Sequence, residues 1–349
     1  MVTHYQTSIW QVDPAAPDPE IIGRAAAVIR RGGLVAFPTE TVYGLGANAL
    51  DARAVRRVFE VKGRPPDNPL IVHVAAASEM AGLVRKVPPV ALQLGERFWP
   101  GPLTLVLPAA PGVPREVTAG LDTVAVRMPA HPVALALIRA AGVPVAAPSA
   151  NTSGRPSPTT AAHVFEDLGG KIEIILDGGP APVGVESTVL DLTTDVPTVL
   201  RPGGVTVEAL AAVLGEVRGS PGETARPRSP GMKYRHYAPR GRVILVEGSP
   251  AAQTAAIREL AREHAGRRVV ILAADESAAL YPGHTVVTYG PRRDLGEVAR
   301  RLYEALRRCD ELGAEVILAE ATARAGLGLA VWDRLRRAAA EVVRAREEG

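Results

Sequence analysis

The chain reads as an α/β protein of two domains, and three features say so. Its 349 residues exceed one small core, at roughly 100–200 residues per domain. Helix and strand patterns interleave up to about residue 214 and again from 242 onward, as in sheet-and-helix layers. Residues 216–240 carry Gly, Pro, Ser and Arg with few large apolar side chains, which reads as a linker. The expected units are therefore 1–215, a connector 216–240, and 241–349.

The elements follow in order. Residues 20–32 place Ile21, Ile22, Ala25, Val28 and Ile29 on one helix side, and Gly32-Gly33 stops them. Leu34 to Phe37 is a short apolar strand ended by Pro38. A second helix, 51–61, turns Val55, Val58 and Phe59 inward. Strand Leu70 to Val74, helix 88–98, strand Leu103 to Leu107, strand Val124 to Met128 and helix 132–141 come next. Strand Val143 to Ala147, helix 159–168, strands 172–177 and 187–192, and a helix near 206–214 complete the first domain. The second domain reads as strand 243–246, helix 251–264, strands 268–273 and 285–288, helix 294–308, strand 315–319 and helix 329–345, a small doubly wound sheet. Gly326-Leu-Gly-Leu-Ala-Val-Trp-Asp-Arg334 reads as a turn feeding that last helix, not as a nucleotide site.

Composition narrows the class. With 47% hydrophobic and 22% charged residues the chain is an ordinary globular protein. No apolar run reaches the roughly 20 residues of a membrane span, and residues 1–13 lack a secretion signal's basic and apolar regions. Cys309 is the one cysteine, which excludes an internal disulfide and argues against a Cys-based zinc site. A cytoplasmic location fits. Net charge is +3. Among forty basic residues the lysines are Lys62, Lys86, Lys171 and Lys233, and Lys62 and Lys233 fall inside motifs.

Common nucleotide and hydrolase templates fail. Gly44-Leu-Gly-Ala-Asn-Ala49 matches a loose dinucleotide pattern, but Pro38 to Tyr43 separate it from the preceding strand. There is no P-loop, no G-x-S-x-G and no two-histidine metal spacing. What remains are polar loops at strand ends. Pro38-Thr-Glu-Thr-Val-Tyr-Gly44 offers hydroxyls and a carboxylate, either to a cleft or to its own turn. Lys62-Gly-Arg-Pro-Pro-Asp-Asn-Pro69 holds two cations in proline-stiffened chain, fit for an anion or for solvent. Both cations are read as loop residues, so replacing either is expected to cost turnover rather than stability. Pro148-Ser-Ala-Asn151 lies at a strand's carboxyl end, where α/β proteins place ligands. Ser157-Pro-Thr159, taken alone, reads as a helix N-cap. Gly184-Val-Glu-Ser-Thr188 and Arg201-Pro-Gly-Gly204 have the same style.

Together and in this order these loops, with Asn68-Pro-Leu-Ile-Val-His73, Trp99-Pro-Gly-Pro-Leu-Thr104 and Val126-Arg-Met-Pro129, resemble the YrdC-like synthase domain over roughly residues 15–215. The second half resembles the long-form threonylcarbamoyl-AMP synthases, connector Ser229-Pro-Gly-Met-Lys-Tyr-Arg-His-Tyr-Ala-Pro239 included. The resemblance implies a twisted open mixed sheet with a concave active-site cleft, then a smaller Rossmann-like α/β domain. It implies a nucleotidyltransferase that makes threonylcarbamoyl-adenylate and pyrophosphate from L-threonine, bicarbonate or CO2, and ATP. The product feeds threonylcarbamoyladenosine at position 37 of tRNA through a downstream transferase complex, with direct tRNA contact left open. Carried over by position, Thr41, His73, Arg127, Ala147 through its backbone, and Ser187 hold threonine, Arg127 as a bidentate fork on its carboxylate. Arg64, Asn68, Thr123, Ser149, Ser157, Arg201 and Tyr234 hold ATP, with Tyr237 the alternative connector tyrosine. Lys62, Arg64, Ser149 and Asn151 form the signature tetrad at the reacting groups. Mg2+ is expected to arrive with ATP rather than on a protein metal site.

That chemistry suits the residues. An N-carboxylate must attack the α-phosphorus of ATP, so two anions meet and cations offset the crowding. Both the N-carboxylate and the adenylate hydrolyse readily, so water must be kept out, and connector 229–239 is a candidate lid. Two other readings stay open. One is a tRNA- or double-stranded-RNA-binding module without chemistry, which leaves the Lys62–Arg64 loop unexplained. The other is a carbamoyl-adenylate-forming maturation enzyme, whose Cys-rich zinc modules one cysteine cannot supply. The job of the second domain is left open.

Overall fold

The computed structural model describes residues 5–219 and 236–346. The described residues fall into two compact units, 5–153 with 157–219, and 154–156 with 236–346.

The first unit runs β1 (Ser8–Gln11), α1 (Pro19–Arg30), β2 (Val35–Phe37), β3 (Gly44–Asn48), α2 (Ala52–Lys62), β4 (Ile71–His73), α3 (Pro89–Phe98), β5 (Leu103–Pro108), α4 (Arg115–Thr118), β6 (Thr123–Arg127) and α5 (Pro132–Ala141). Then follow β7 (Val145–Ala146), α6 (Ala161–Leu168), β8 (Ile174–Asp177), β9 (Thr188–Asp191), β10 (Thr198–Arg201) and α7 (Val207–Leu214). The strands form one mixed sheet in the order β1-β8-β2-β3-β7-β4-β6-β5-β9-β10. Helices start where capping chemistry allows it. Asp18 and Asp51 accept from the first amides of α1 and α2, and Gly63 in the left-handed region ends α2.

The two faces of this sheet are covered differently. On one face, Val55 and Val58 of α2, Leu94 of α3, Val117 of α4, Val164 of α6 and Leu210 of α7 pack in one core with strand residues Leu45, Val72, Leu105 and Val126. On the other, α1 and α5 bury Ile22, Val28, Val133 and Leu137 against Phe37, Val145, Ile174 and Leu176. That cover reaches only the β1-to-β7 side. Beyond it Ile71, Val106, Ala125, Val189 and Leu200 form a separate cluster built from strand residues alone. Period-two alternation puts His73, Arg127 and Thr104 on this same face. Among the described residues no helix joins this cluster, and this half-sheet is the floor of the candidate site.

The second unit runs β11 (Arg242–Glu247), α8 (Pro250–Glu263), β12 (Val269–Ala273), β13 (Thr285–Thr288), α9 (Leu295–Glu311), β14 (Val316–Glu320), α10 (Leu327–Ala338) and β15 (Glu341–Arg344). Its five strands are all parallel, ordered β13-β12-β14-β11-β15. Helix α8 packs Ile257 and Ala261 on Ile244, Ile271 and Leu318. The alternate residues Val243, Leu245, Leu272 and Ile317 are equally buried, so the opposite face is covered too. No described helix is long and apolar enough to cross a membrane.

Four expectations change. The helix expected over 329–345 ends at Ala338, and Glu341–Arg344 becomes an edge strand on β11, where β-branched Val342 and Val343 suit a ladder. No element was expected over Gly44–Ala49, and it is mostly strand β3. Strands β1 and β10 also exist where none was expected. The N-cap of α6 is Thr160, not Ser157, whose hydroxyl is engaged elsewhere.

Gly46 shows why β3 carries glycine. A Cβ there would sit 2.7 Å from the Phe37 ring and 2.9 Å from Val145. Gly46→Ala is expected to destabilise the protein by about 1–3 kcal/mol through overpacking. Gly82→Ala, with nothing within 4 Å, is the control that should leave the urea midpoint in place.

Candidate functional site

The site begins at the end of α2. Lys62 is the last residue of that helix and is only 2% exposed. Its ammonium donates to the Ser149 carbonyl at 2.6 Å and to the Asn151 carbonyl. Its own carbonyl accepts from Ser153 N at 2.8 Å. The loop after β7 is thus fastened to α2 by three bonds through one residue. The other side of the loop is tied to β3, where Leu45 N donates to Pro148 O and Ala150 N donates to Tyr43 O, each at 2.8 Å. Burial, and then the Arg64 cation, push the Lys62 pKa well below its ordinary value, with Asp167 pulling partly back. The expectation that Lys62 sits in a loop is therefore corrected. The signature spacing ends a helix, and removing Lys62 strands two carbonyls.

Ser149 and Asn151 face one another, the serine hydroxyl donating to Asn151 Oδ1 at 2.5 Å. Asn151 Nδ2 holds Thr152 O at 2.8 Å. Arg64 follows the left-handed Gly63 and folds back on the next turn of chain, donating to Asn68 O at 3.2 Å and Pro69 O at 3.1 Å. The Asn68 side chain is fully buried, and neither its Oδ1 nor its Nδ2 has a hydrogen-bond partner. Thr123 opens β6, and the register Ile71↔Ala125, extended two residues, brings it level with Pro69. Arg64, Asn68, Thr123 and Ser149 thus gather toward the amino ends of β4 and β6.

The carboxyl ends of the same strands carry a second set. Arg127 is 4% exposed and donates to Glu40 Oε1 at 2.5 Å, Thr41 Oγ1 at 3.0 Å and Gly101 O at 3.2 Å. These three bonds leave two of the guanidinium's five N–H groups for a ligand. Glu40 is held in place by Ala130 N at 3.0 Å. His73 pairs with Arg127 in register, and its Nδ1 is buried without a partner. Burial, and then the Arg127 charge, push its pKa down to about 3, so the ring is a neutral imidazole. Ser187 shares a 2.8 Å hydrogen bond with Thr104, and Arg201 donates to Ser187 O at 2.9 Å. Ala147 lies opposite Ile71, between the two sets, and spends its amide on Ile71 O, which leaves its carbonyl as the group to offer a ligand. Ser157 donates to Glu186 Oε1 at 2.5 Å.

The two sets lie about 13 Å apart, four strand residues at ~3.3 Å each. Antiparallel β7 runs from one to the other, with Val145 opposite His73 and Ala146 opposite Val72. Glu40, Thr104 and Glu186 were not singled out in the sequence, although each lies inside a quoted motif. A buried carboxylate or hydroxyl bonded to a site residue marks them only once the fold is known. Tyr234, Lys233 and most of the connector fall outside the described residues. Tyr237 is 5% exposed and packs on Tyr303 and Arg334 within the second unit. Among the described residues no group of three or more His, Cys, Asp or Glu is placed to hold a metal ion.

Comparison with known proteins bears on this geometry. Residues 27–203 match the Sua5–YciO–YrdC family, described as telomere recombination. Residues 205–340 match a family described as threonylcarbamoyl-AMP synthase, C-terminal domain. The chain is 53% identical over 323 residues to a threonylcarbamoyl-AMP synthase of Pyrococcus abyssi, covering 90% of this chain and 92% of that one. It is 50% identical over 343 residues to a threonylcarbamoyl-AMP synthase of Bacillus subtilis, covering 96% and 98%. The crystal structure of P. abyssi Sua5 complexed with L-threonine superposes with a TM-score of 0.92 at 50% identity, covering 97% of this chain and all of that one.

Two outcomes are expected. Lys62→Ala leaves two carbonyls unpaired at roughly 1–3 kcal/mol each, so its Tm should fall by about 4–8 °C or more; an unchanged Tm would show that the clamp carries no stability. His73 has its folded pKa below the unfolded value near 6.5. Its contribution is therefore complete above about pH 6.5 and is lost as pH falls toward 3. Urea melts of His73→Asn against the parent should show a flatter loss of stability between those limits.

Proposed function

The chain belongs to the threonylcarbamoyl-AMP synthase family, and from that membership we propose how the floor of its first unit works. The reaction joins L-threonine, bicarbonate or CO2, and ATP, releases pyrophosphate, and yields the threonylcarbamoyl-AMP used in tRNA modification. One observation carries the assignment of residues. Buried polar atoms without partners occur at both ends of the floor, His73 Nδ1 at one and both amide atoms of Asn68 at the other. Native folds seldom leave such atoms unpaired, and a substrate at each end satisfies them.

Threonine lies at the carboxyl ends of β4 and β6. Its carboxylate takes the two remaining N–H groups of Arg127, which Glu40 and Thr41 hold in orientation. Neutral His73 accepts a proton donor of threonine, its hydroxyl or amine. Ser187 and the Ala147 carbonyl complete the threonine contacts. This placement turns the amine toward the middle of the floor, where CO2 or bicarbonate adds to it. ATP enters from the other end, on Arg64, Asn68, Thr123 and Ser149, and reaches along the floor to Ser157 and Arg201 near the threonine end, with Tyr234 of the connector as a further contact. Mg2+ accompanies ATP as part of the substrate.

The N-carboxylate and the α-phosphate then meet between the two sets. Arg64 and Arg201 supply fixed positive charge there, so no reorganisation is needed as the charges crowd. Lys62 acts mainly through the loop it holds, fixing Ser149 and Asn151 against the nucleotide. No protein nucleophile is required. The product passes to a downstream threonylcarbamoyl transferase complex.

Pyrophosphate release should require threonine, bicarbonate and ATP together. Release with carbamoyl phosphate in place of threonine, or RNA binding with no release, would overturn this reading. Arg127→Lys brings three donors where Glu40, Thr41, Gly101 and both carboxylate oxygens need five. It should lower kcat/KM for threonine by about 10- to 100-fold, equal to one or two charged hydrogen bonds, and leave the ATP dissociation constant unchanged by calorimetry.

A further inference from the structure

We infer that the second unit carries a ligand site of its own, at the carboxyl edge of its parallel sheet, for an anionic metabolite of the mononucleotide class. All of its lining residues belong to the second unit. It lies where β11 ends at Gly248, β14 passes into Ala321 and Thr322, and β13 leads to Tyr289. Parallel α/β sheets bind ligands at this edge.

A cavity of about 280 Å³ opens there, lined by Gly248, Pro250, Gln253, Tyr289, Arg292 and Thr322 among others. A second lobe of about 410 Å³ shares Gly248, Gln253, Ala321 and Thr322 and is edged by Arg324, Trp332 and Arg344. Two lobes of this size suit a metabolite of nucleotide dimensions.

Two residues that line the first lobe carry buried polar atoms without partners among the described residues. Gln253 is 4% exposed, and its Nε2 donates to Gly248 O at 2.7 Å and Ala321 O at 3.3 Å. Only the NH2 end of an amide can serve two carbonyls, so the side-chain orientation is settled. Its Oε1 is left buried with no partner. Tyr289 is 1% exposed, and its hydroxyl is likewise buried with no partner. Burial raises its pKa well above the ordinary value, so the phenol keeps its proton and can donate. Both residues line the same cavity, and an unpaired acceptor together with an unpaired donor matches the alternating N–H and acceptor edge of a nucleobase once the lining shifts to admit it. Apolar Pro250, Leu295 and Val298 in the same lining suit its ring.

The second lobe favours negative charge. Glu247 accepts from Trp332 Nε1 at 2.8 Å and lies 2.7 Å from Arg324 and 4.0 Å from Arg344. One carboxylate against two guanidiniums leaves a net positive lobe, which fits a phosphate. Arg292, in the first lobe, is anchored on Glu320 at 2.8 Å and Ser277 at 2.5 Å.

Tyr289→Phe is the clean variant, because it removes a hydroxyl that nothing in the described structure uses. Calorimetry of the full chain with AMP, GMP, CMP and UMP should give a saturable event at this site for at least one of them. That event should persist in Asn68→Ala, weaken about tenfold or more in Tyr289→Phe and Gln253→Leu, and be absent with inorganic phosphate alone. Tyr289→Phe should keep the parent's Tm and its pyrophosphate release. Three results would each overturn the proposal: no binding beyond an event lost in Asn68→Ala, undiminished binding by Tyr289→Phe, or equal binding of phosphate alone.

Discussion

The candidate active site depends on one buried ammonium. Lys62 closes α2 and spends its side chain on the carbonyls of Ser149 and Asn151. Backbone carbonyls in a loop have no ladder to satisfy them, and burial makes that costly. A single cation with several donors solves the problem for a chain that must stay irregular. The loop can then expose the Ser149 and Asn151 side chains while its backbone is fixed. Arginine is a poor substitute here, because a wider guanidinium would have to fit where the Lys62 side chain is already fully enclosed. This gives a physical reason for a lysine in a chain whose basic residues are nearly all arginine.

The second constraint is the uneven cover of the sheet. Helices α1 and α5 close one half of the face and leave the β4-β6-β5-β9-β10 half to strand residues. Phe37 marks the border, its ring edge-on to His73 at 6.4 Å. Small apolar side chains in the middle of that floor and polar ones at its ends create two subsites on one rigid surface. Because Thr123 and Arg127 ride on one strand, strand rise sets the spacing of the two ends, and the Lys62 clamp fixes the loop residues beside one of them. Fixed separation is what a reaction between two bound anions needs.

Much of this was legible in the sequence. Helices with strong period, such as 132–141, fall where the apolar spacing puts them. The polar loops were legible as strand-end motifs, but that Asn68 and His73 would carry buried atoms without partners among the described residues was not. Three kinds of feature were not legible. Strand β3 is glycine-rich because Phe37 crosses it closely, which no propensity encodes. Strand β15 looked like the tail of a helix because its pairing partner, β11, lies about a hundred residues away. The carboxylates Glu40 and Glu186 act through partners distant in sequence, Arg127 at 87 residues and Ser157 at 29. Distance along the chain, not weak chemistry, hid them.

The most direct measurement compares ATP and L-threonine affinities of Lys62→Ala with those of the parent by calorimetry, at a temperature where both are folded. The clamp acts on the loop beside the nucleotide and not on the Arg127 end of the floor. The account therefore predicts ATP binding weakened by tenfold or more with threonine binding retained. Undiminished ATP binding, or equal loss of both ligands, would contradict it.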